Sequence, residues 1–288
     1  MLLDHAQGMV FRPPSEANSF ILRITLGCSH NACTFCAMYR GIQFRTRSLE
    51  EIRCIVENTA QRSPDIRRVF LGDGNALVLP TKKLLSILAQ LREAFPKLTR
   101  VTCYGGPKDI LRKTPEELKA LKEAGLKIIY LGVESGDDEV LAGINKGVGA
   151  AEMVAAGRKV LAAGIKLSVM VILGLGGKTG SYRHATGTAR VISHISPTML
   201  STLTLTLYDG TTLKEAADRG DFLPLTPYET MVELKELICH IRVANPCIFR
   251  SDHISNLLPL AGVLNRDRDK MLQEIHEILD FLKDKHNG

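Results

Sequence analysis

The sequence lacks several features that would place it in common classes of protein. It contains no tryptophan, and aromatic residues make up only 5% of its 288 residues. No run of 18 apolar residues is present, so we expect no transmembrane helix and no membrane partner. The N-terminal stretch MLLDHAQGMVFRPP has no basic segment followed by an apolar one. We therefore expect no signal peptide and a cytoplasmic location.

Clustered positive charge is also absent. The 37 basic residues exceed the 31 acidic ones, which gives a net charge of +6 at pH 7. The basic residues are spread along the chain without a run of five or more. This distribution is typical of a solvated basic surface, so we do not expect a nucleic-acid partner. The sequence does not indicate the oligomeric state.

Six short segments rich in apolar and β-branched residues alternate with amphipathic helical patterns. The predicted strands are 19–26, 66–72, 98–104, 126–133, 165–174 and 199–208. The predicted helices between them include 49–61, 82–95, 114–124 and 151–163. This alternation predicts a parallel α/β architecture. The pattern alone does not separate an open sheet from a partial barrel.

We expect one domain at residues 19–243, after an N-terminal lead-in at 1–18. A C-terminal extension at 244–288 follows, with an irregular stretch before a helix at about 267–283. The extension is a candidate for closing the mouth of a barrel. In the last predicted strand, Thr202, Thr204 and Thr206 alternate with leucines. These threonines either line a polar pocket or form a solvated face.

Three of the seven cysteines lie within nine residues, in the stretch GCSHNACTFC. They are Cys28, Cys33 and Cys36, directly after the first predicted strand. Clustered thiols in a reducing compartment indicate a metal site more than disulfides. Structural zinc usually takes four ligands, and His30 could supply a fourth. A [4Fe–4S] cluster held by three thiolates instead leaves one iron open to an external ligand.

The other four cysteines do not have the spacing of metal ligands. They are Cys54, Cys103, Cys239 and Cys247. We therefore do not expect an auxiliary cluster.

The segment Thr34-Phe35-Cys36 resembles the end of the radical S-adenosylmethionine (radical SAM) signature, Cys-x3-Cys-x-aromatic-Cys. The first spacer has four residues here rather than three. Three further segments resemble that superfamily at successive strand ends: LGDGNAL at 71–77, LGVESG around Glu134, and VILGLGG at 171–177. The resemblance runs from about residue 19 to 243. It is nearest to the branch with oxygen-independent coproporphyrinogen oxidases, methylthiotransferases and Elongator-type proteins.

The resemblance implies roles for individual residues. Cys28, Cys33 and Cys36 would hold the cluster, with the ring of Phe35 beside it. The other residues would bind SAM. Its amino group would be bound by Gly72, Asp73, Gly74 and Asn75, and its ribose by Glu134 and Ser135. Its adenine would be bound by Ile172, Leu173 and Gly174, and its carboxylate by Arg158.

The resemblance also implies a fold and an activity. The fold would be a partial (β/α)6 TIM-like barrel with a C-terminal extension and the cluster at its C-terminal mouth. Reductive cleavage of SAM would give methionine and a 5′-deoxyadenosyl radical, which removes a hydrogen atom from a small-molecule substrate. A reductase, flavodoxin or ferredoxin would supply the electron to this oxygen-sensitive oxidoreductase.

Three other functions stay open at this point. They are a haem or iron–sulfur carrier without turnover, a nucleic-acid-modifying radical SAM enzyme, and a zinc-stabilised structural protein. The sequence does not identify the catalytic residues. The candidates are Tyr104 at the end of the third strand, Cys247 as a hydrogen donor, and Arg250, Asp252 and His253 in the stretch CIFRSDHISN. That polar stretch either contacts substrate or is a plain surface loop.

Overall fold

A computed structural model describes residues 10–287 of the protein. Residues 1–9 of the predicted lead-in lie outside the described residues. The chain divides into two compact units, each described below by itself. The first unit comprises Met1–Asn31, Met38–Leu131 and Lys159–Leu167, and the second comprises Ala32–Ala37, Gly132–Arg158 and Ser168–Gly288. The predicted division into lead-in, barrel and extension stays a prediction.

The first unit is built from parallel strands and the helices between them. In chain order its elements are β1 (Phe20–Arg23), β2 (Thr25–Leu26), β3 (Arg45–Thr46), α1 (Leu49–Arg62), β4 (Arg68–Gly72), α2 (Thr81–Ala94), β5 (Arg100–Tyr104), α3 (Pro107–Arg112), α4 (Pro115–Glu123) and the start of β6 (Leu126–Glu134). Strand β1 pairs with β4, β4 with β5 and β5 with β6, all in parallel. The short strands β2 and β3 form an antiparallel pair.

Local sequence signals account for the boundaries of these helices. The N-cap residues Ser48 and Thr114 each take part in a complete capping box, with Glu51 and Glu117 respectively. Each box satisfies backbone N–H groups that the first helical turn leaves unpaired. Pro115 at the first position of α4 adds a preset φ to this start signal. Strand β1 is buried along its whole length, as expected for a strand covered on both faces.

The second unit continues the same alternation. Its elements are the end of β6, α5 (Asp138–Gly143), the start of α6 (Ala150–Ala162), the greater part of β7 (Lys166–Leu173), α7 (Gly177–Ile195), β8 (Met199–Thr204), α8 (Thr212–Asp218), α9 (Pro227–His240), β9 (Ile248–Arg250), β10 (Ala261–Val263) and α10 (Leu264–Asn287). Strands β7, β8 and β9 are parallel neighbours, and β10 pairs with β9 in the antiparallel direction. No helix within residues 10–287 is both long and apolar enough to span a bilayer.

The six predicted strands are all present, but three details were wrong. The segment predicted as one strand at 19–26 forms two strands, β1 and β2, which belong to different sheets. Strand β8 ends at Thr204 rather than at residue 208, because the chain turns away after the last residue that pairs with β7. The stretch predicted to be irregular contains β9 and β10. Each has only three residues, which is too short for a period-two pattern to appear in the sequence.

The start of the described chain is fixed to the first unit by a buried carboxylate. Glu16, in a 3-10 helix at Pro14–Glu16, is fully buried. Arg100 on β5 forms an ion pair with it at 2.9 Å, and the hydroxyl of Tyr130 on β6 donates to it at 2.6 Å. Burial and this neighbouring carboxylate raise the pKa of Tyr130. The 3-10 helix at Pro14–Glu16 is thus joined to the strands around residues 100 and 130.

Candidate functional site

The first cysteine, Cys28, lies in a loop after β2 that packs directly against the end of β4. A Cβ atom added at Gly74 would lie 2.9 Å from the Cβ of Cys28 and 2.9 Å from the ring of Tyr39. Real Cβ atoms do not approach that closely, so this position requires glycine. The N–H of Gly74 donates to the carbonyl of Gly27 at 3.2 Å. The glycine-rich segment at 71–77 therefore holds the backbone of the Cys28 loop.

Asp73, which the resemblance assigns to the amino group of SAM, is bound to partners within the protein. Its carboxylate is fully buried and accepts two hydrogen bonds from Arg23 on β1, at 2.9 and 2.7 Å. It also accepts from the N–H of Gly27 at 3.1 Å, and its own N–H donates to the hydroxyl of Thr25. A carboxylate with both oxygens engaged inside the protein is poorly placed to bind an ammonium group. The geometry favours Asp73 as a positioning residue.

Asn75 is likewise buried and occupied by protein partners. Its carbonyl oxygen accepts from the N–H of Gly106 at 2.9 Å, and its amide donates to Ser29 at 2.9 Å and Asp109 at 2.6 Å. These bonds connect the ends of β4 and β5 to the cysteine loop. Gly72, the last residue of β4, is buried and pairs with Arg23 in the strand register. Asn75 therefore ties three loops together.

The other two cysteines belong to residues 32–37, which lie in the second unit. This short segment is held by backbone bonds on both sides of Thr34. The N–H of Thr34 donates to the carbonyl of Ile144 at 3.0 Å, and the N–H of Leu213 donates to the carbonyl of Thr34 at 3.0 Å. The thiols of Cys33 and Cys36 are half-buried. The segment is thus fixed without enclosing its thiols.

Phe35 anchors the same segment through apolar contacts. Its ring packs against a buried cluster of five residues: Val140, Leu141, Ile144, Leu175 and Leu213. Ile172 of β7 packs against the same cluster. Leu173, in contrast, is almost completely buried. Of the two apolar residues assigned to adenine, only Ile172 keeps a partly accessible side chain.

Glu134, at the end of β6, is not fully enclosed, because 13% of its side chain is exposed. It forms an ion pair with Lys146 at 2.9 Å. Its φ of +62° lies in the left-handed region, which is uncommon for a residue with a side chain. A Cβ at Gly132 would lie only 2.0 Å from its carboxylate oxygen. The glycine therefore leaves the space in which the Glu134 side chain lies.

Ser135 belongs to a buried network that sequence reasoning missed. Its hydroxyl lies 2.8 Å from Nδ1 of His184 on α7, and His184 Nε2 lies 3.1 Å from the carbonyl of Ile172. Because that carbonyl can only accept, Nε2 carries the ring proton and Nδ1 accepts from Ser135. Glu233 on α9 lies 3.6 Å from Nε2. Burial lowers the pKa of His184, against an opposing effect of Glu233, so the ring is neutral.

The same network reaches the end of β7. Glu233 is buried and accepts from the N–H of Gly174 at 2.6 Å and from the hydroxyl of Ser181 at 2.5 Å. Gly174 has a φ of +88°, a conformation that favours glycine. Ser135 and Gly174 are thereby connected through His184 and Glu233. Two segments assigned to SAM share one buried polar support.

The side chain of Arg158 is bonded to α7. It is exposed on α6, and its Nε donates to the carbonyl of His194 near the end of α7, at 2.7 Å. A cation at that position satisfies an unpaired carbonyl and complements the helix dipole. The geometry favours this structural role over binding of the methionyl carboxylate.

The remaining candidates differ in accessibility. Cys103 and Cys247 are both buried, and burial raises the pKa of each thiol to about 12. Packing is therefore the role that the structure favours for Cys247. Tyr104 is half-buried, with its ring edge-on to Phe70 and Tyr130 at centroid distances of 5.1 and 6.1 Å.

The polar stretch after β9 is only partly exposed. Arg250 and Asp252 are exposed, whereas His253 is half-buried, with Nδ1 accepting from the N–H of Ser255 at 3.1 Å. Asn256, which sequence reasoning missed, donates to the carbonyl of Thr202 at 2.7 Å and accepts from Thr204 at 3.0 Å. Thr202 is itself buried. The stretch is therefore bonded to the end of β8.

The donor chemistry at the cysteines suits an iron–sulfur cluster. All three thiols are half-buried, and the close approach at Gly74 fixes the loop of Cys28. Among the described residues, no three His, Cys, Asp or Glu side chains are grouped to hold a metal ion. A cubane makes a different demand, because each thiolate binds a different iron. The cysteines present fit such a cluster by type and number.

Comparison with protein families decides the membership of this chain. The family model described as the radical SAM superfamily matches residues 22–187, more than half of the 288 residues. The chain belongs to the radical SAM superfamily. Enzymes of the radical SAM superfamily bind a [4Fe–4S] cluster and SAM, so this membership gives both cofactors. It also confirms the resemblance stated from the sequence.

One curated relative is similar over most of the chain. The uncharacterized protein MJ0486 of Methanocaldococcus jannaschii is 24% identical over 262 residues, which are 88% of this chain and 76% of that protein. Its description gives no activity.

Solved radical SAM structures share the fold. The methyltransferase TsrM from Kitasatospora setae aligns with a TM-score of 0.61 at 17% identity, over 83% of this chain and 54% of TsrM. Coproporphyrinogen III oxidase (HemN) from Escherichia coli aligns with a TM-score of 0.56 at 16% identity, over 77% of this chain and 51% of HemN. The chain thus spans about half of each. The predicted α/β fold class, with mostly parallel strands, is confirmed.

Proposed function

We propose that this radical SAM enzyme cleaves SAM reductively and removes a hydrogen atom from a small-molecule substrate. A [4Fe–4S] cluster, when bound, supplies the electron for cleavage of the sulfonium bond. The products are methionine and 5′-deoxyadenosine, the latter carrying one hydrogen from the substrate. The observation that carries the proposal is the packing of Gly74 against Cys28, at a distance that only glycine allows.

The proposed ligands of the cluster are Cys28, Cys33 and Cys36. Half-buried thiols suit this role, because the deprotonated form is the ligand and full burial would oppose it. Phe35 supports the proposal by anchoring the segment with Cys33 and Cys36 to an apolar cluster. A cytoplasmic location, where thiols stay reduced, belongs to the same proposal. A reductase, flavodoxin or ferredoxin is the proposed electron donor.

Different residues are proposed to bind SAM and to support the strand ends around it. Glu134, whose side chain at the end of β6 is partly exposed, is the proposed partner of the ribose hydroxyls. Ile172 is the proposed apolar contact for adenine. Asp73, Asn75, Ser135 and Gly174 hold the strand ends through bonds within the protein. The pre-formed strand ends orient the cofactor and limit access of water.

The test is anaerobic reconstitution with iron and sulfide, reduction, and incubation with SAM and candidate metabolites that carry deuterium. We expect 5′-deoxyadenosine, with deuterium transferred to it from the substrate in mass spectra. Protein with Cys36→Ala is the control and should give none. Bound haem or a cluster without any 5′-deoxyadenosine would support a carrier instead. Zinc without absorbance near 400 nm would support a structural zinc protein.

A further inference from the structure

The sheet of the second unit has one buried and one open face. Side chains alternate along each strand, so residues paired in register point to the same side. The buried face carries apolar residues such as Val169, Leu200 and Phe249, all essentially inaccessible. The open face carries Met170, Ile172, Ser201, Leu203 and Arg250, all partly or fully exposed. A ligand of this sheet would therefore contact the open face.

Arg250 is the one charged residue among those five, and it lies in register with two of them. Met170 of β7 pairs with Ser201 of β8, and Ser201 pairs with Arg250 of β9. Adjacent strands lie about 4.8 Å apart, so a hydroxyl and a guanidinium are neighbours at this level of the sheet. The guanidinium carries hydrogen-bond donors and no acceptor, and the hydroxyl adds one more donor.

No carboxylate neutralises Arg250 within the described part of the chain. The hydrogen bond recorded for its side chain is from Nη1 to the carbonyl of Phe249, at 2.8 Å. Asp252 follows two residues later but forms no ion pair with it among residues 10–287. Other arginines of this unit, such as Arg183 and Arg219, do pair with carboxylates. Arg250 therefore presents an uncompensated positive charge on the open face.

The same face becomes apolar toward the strand ends. Ile172 and Leu203 pair with each other two residues beyond Met170 and Ser201, which is about 7 Å along the strands. Strand β7 ends at Leu173, about 10 Å from the level of Arg250. A ligand on this face thus meets an anion-binding group first, then apolar side chains, then the strand end assigned to SAM.

We propose that the substrate is a small organic anion whose carboxylate or phosphate binds Arg250 and Ser201. Its apolar part would run past Ile172 and Leu203 toward the end of β7, where the hydrogen atom is removed. This inference rests on the proposed function, because it places the reacting carbon beside the SAM segment. The loop with Asn256 supports the site from the side, since it fixes the end of β8.

The test uses simple probes with the reconstituted holoprotein and SAM. Hexanoate and hexyl phosphate carry the two anionic groups on a short apolar chain, and hexanamide and hexanol are the neutral analogues. We expect one of the anions to raise the Tm saturably and both neutral analogues to have no effect. The half-saturating concentration should rise about tenfold or more in Arg250→Gln and a few-fold in Ser201→Ala. Arg250→Lys, which keeps the charge, should lie between wild type and Arg250→Gln.

The matched control is Arg219→Gln, which removes an exposed arginine paired with Asp221 at the end of α8. It should respond to the anion as wild type does. Equal responses in Arg250→Gln and Arg219→Gln, or an equal effect of the neutral analogues, would overturn the inference. The formation of 5′-deoxyadenosine is measured in parallel. Anion binding that depends on Arg250 without any SAM cleavage would contradict the proposed function alone.

Discussion

The ends of β4 and β6 show two different uses of an acidic residue after a strand. Asp73, after β4, is fully enclosed and has both oxygens bound to Arg23 and Gly27. Glu134, at the end of β6, is 13% exposed, forms an ion pair with Lys146 and adopts a left-handed backbone conformation. Both residues stand in segments that resemble SAM-binding motifs. From this difference in burial we infer that Asp73 builds the site and that Glu134 contacts the ligand.

The largest effect on SAM cleavage is expected from replacing one of the three cysteines in the motif. Replacing Cys36 by serine should abolish SAM cleavage and lower the iron content after reconstitution, because one of three thiolates is lost. Cys54→Ser, an exposed position outside the motif, should keep full iron content. Iron analysis and 5′-deoxyadenosine assays check both. Full iron content in the Cys36 variant would contradict the three-thiolate assignment.

Asp73→Ala should affect stability more than binding. It removes the carboxylate that binds the buried Arg23 through two hydrogen bonds, and breaking a buried ion pair costs about 3–5 kcal/mol in the free energy of unfolding. The control Asp65→Ala breaks an exposed pair with Lys97 and should cost about 1 kcal/mol or less. Urea denaturation measures the difference. If Asp73 binds the methionyl ammonium instead, SAM affinity will fall while stability stays close to that of Asp65→Ala.

Gly132→Ala, in contrast, should affect SAM binding more than stability. The added methyl would collide with the Glu134 carboxylate, so we expect SAM affinity to fall about tenfold, the size of one lost hydrogen bond to a charged group. Gly143→Ala is the matched control, because a Cβ there meets no atom within 4 Å. Equilibrium binding of SAM distinguishes them. Equal affinities in the two variants would remove Glu134 from the ribose site.

The buried network under Ser135 predicts a dependence of stability on pH. Because burial lowers the pKa of His184 from its ordinary 6.5, the unfolded state takes up the proton first. The contribution of the neutral His184 ring to the free energy of unfolding is complete above pH 6.5. It is lost as the pH falls below that value, by at most about 1.4 kcal/mol per pH unit. His184→Gln should show a smaller loss between pH 7 and 5.5. Urea denaturation at each pH measures the free energy of unfolding. Equal losses in wild type and in His184→Gln between pH 7 and 5.5 would contradict this prediction.

The smallest effect is expected for Arg158. Its side chain is exposed and donates to the end of α7, so Arg158→Ala should change the free energy of unfolding by about 1 kcal/mol or less. SAM affinity should not change. A fall of tenfold or more in SAM affinity would restore Arg158 as the ligand of the methionyl carboxylate.

Much of the fold follows from local sequence, because apolar strands, capping residues and glycine stops leave clear patterns. The short strands β9 and β10 leave none, since their pairing is set by the tertiary structure. In the site, the sequence shows motif positions but not the burial of each side chain, on which its role depends. Two signals were present: Arg23 is the one charged residue in an apolar strand, and Glu233 lies on the buried face of α9. The sequence around His184 carries no comparable signal for a buried polar residue.

The central claim is that three cysteines hold a cluster with one iron open to SAM. Electron–nuclear double resonance on the reconstituted, reduced protein tests it most directly, with SAM carrying 17O in its carboxylate. The account predicts a hyperfine coupling from that oxygen to the cluster. A cluster that binds SAM without such coupling, or that has a fourth protein ligand on its iron, would contradict it.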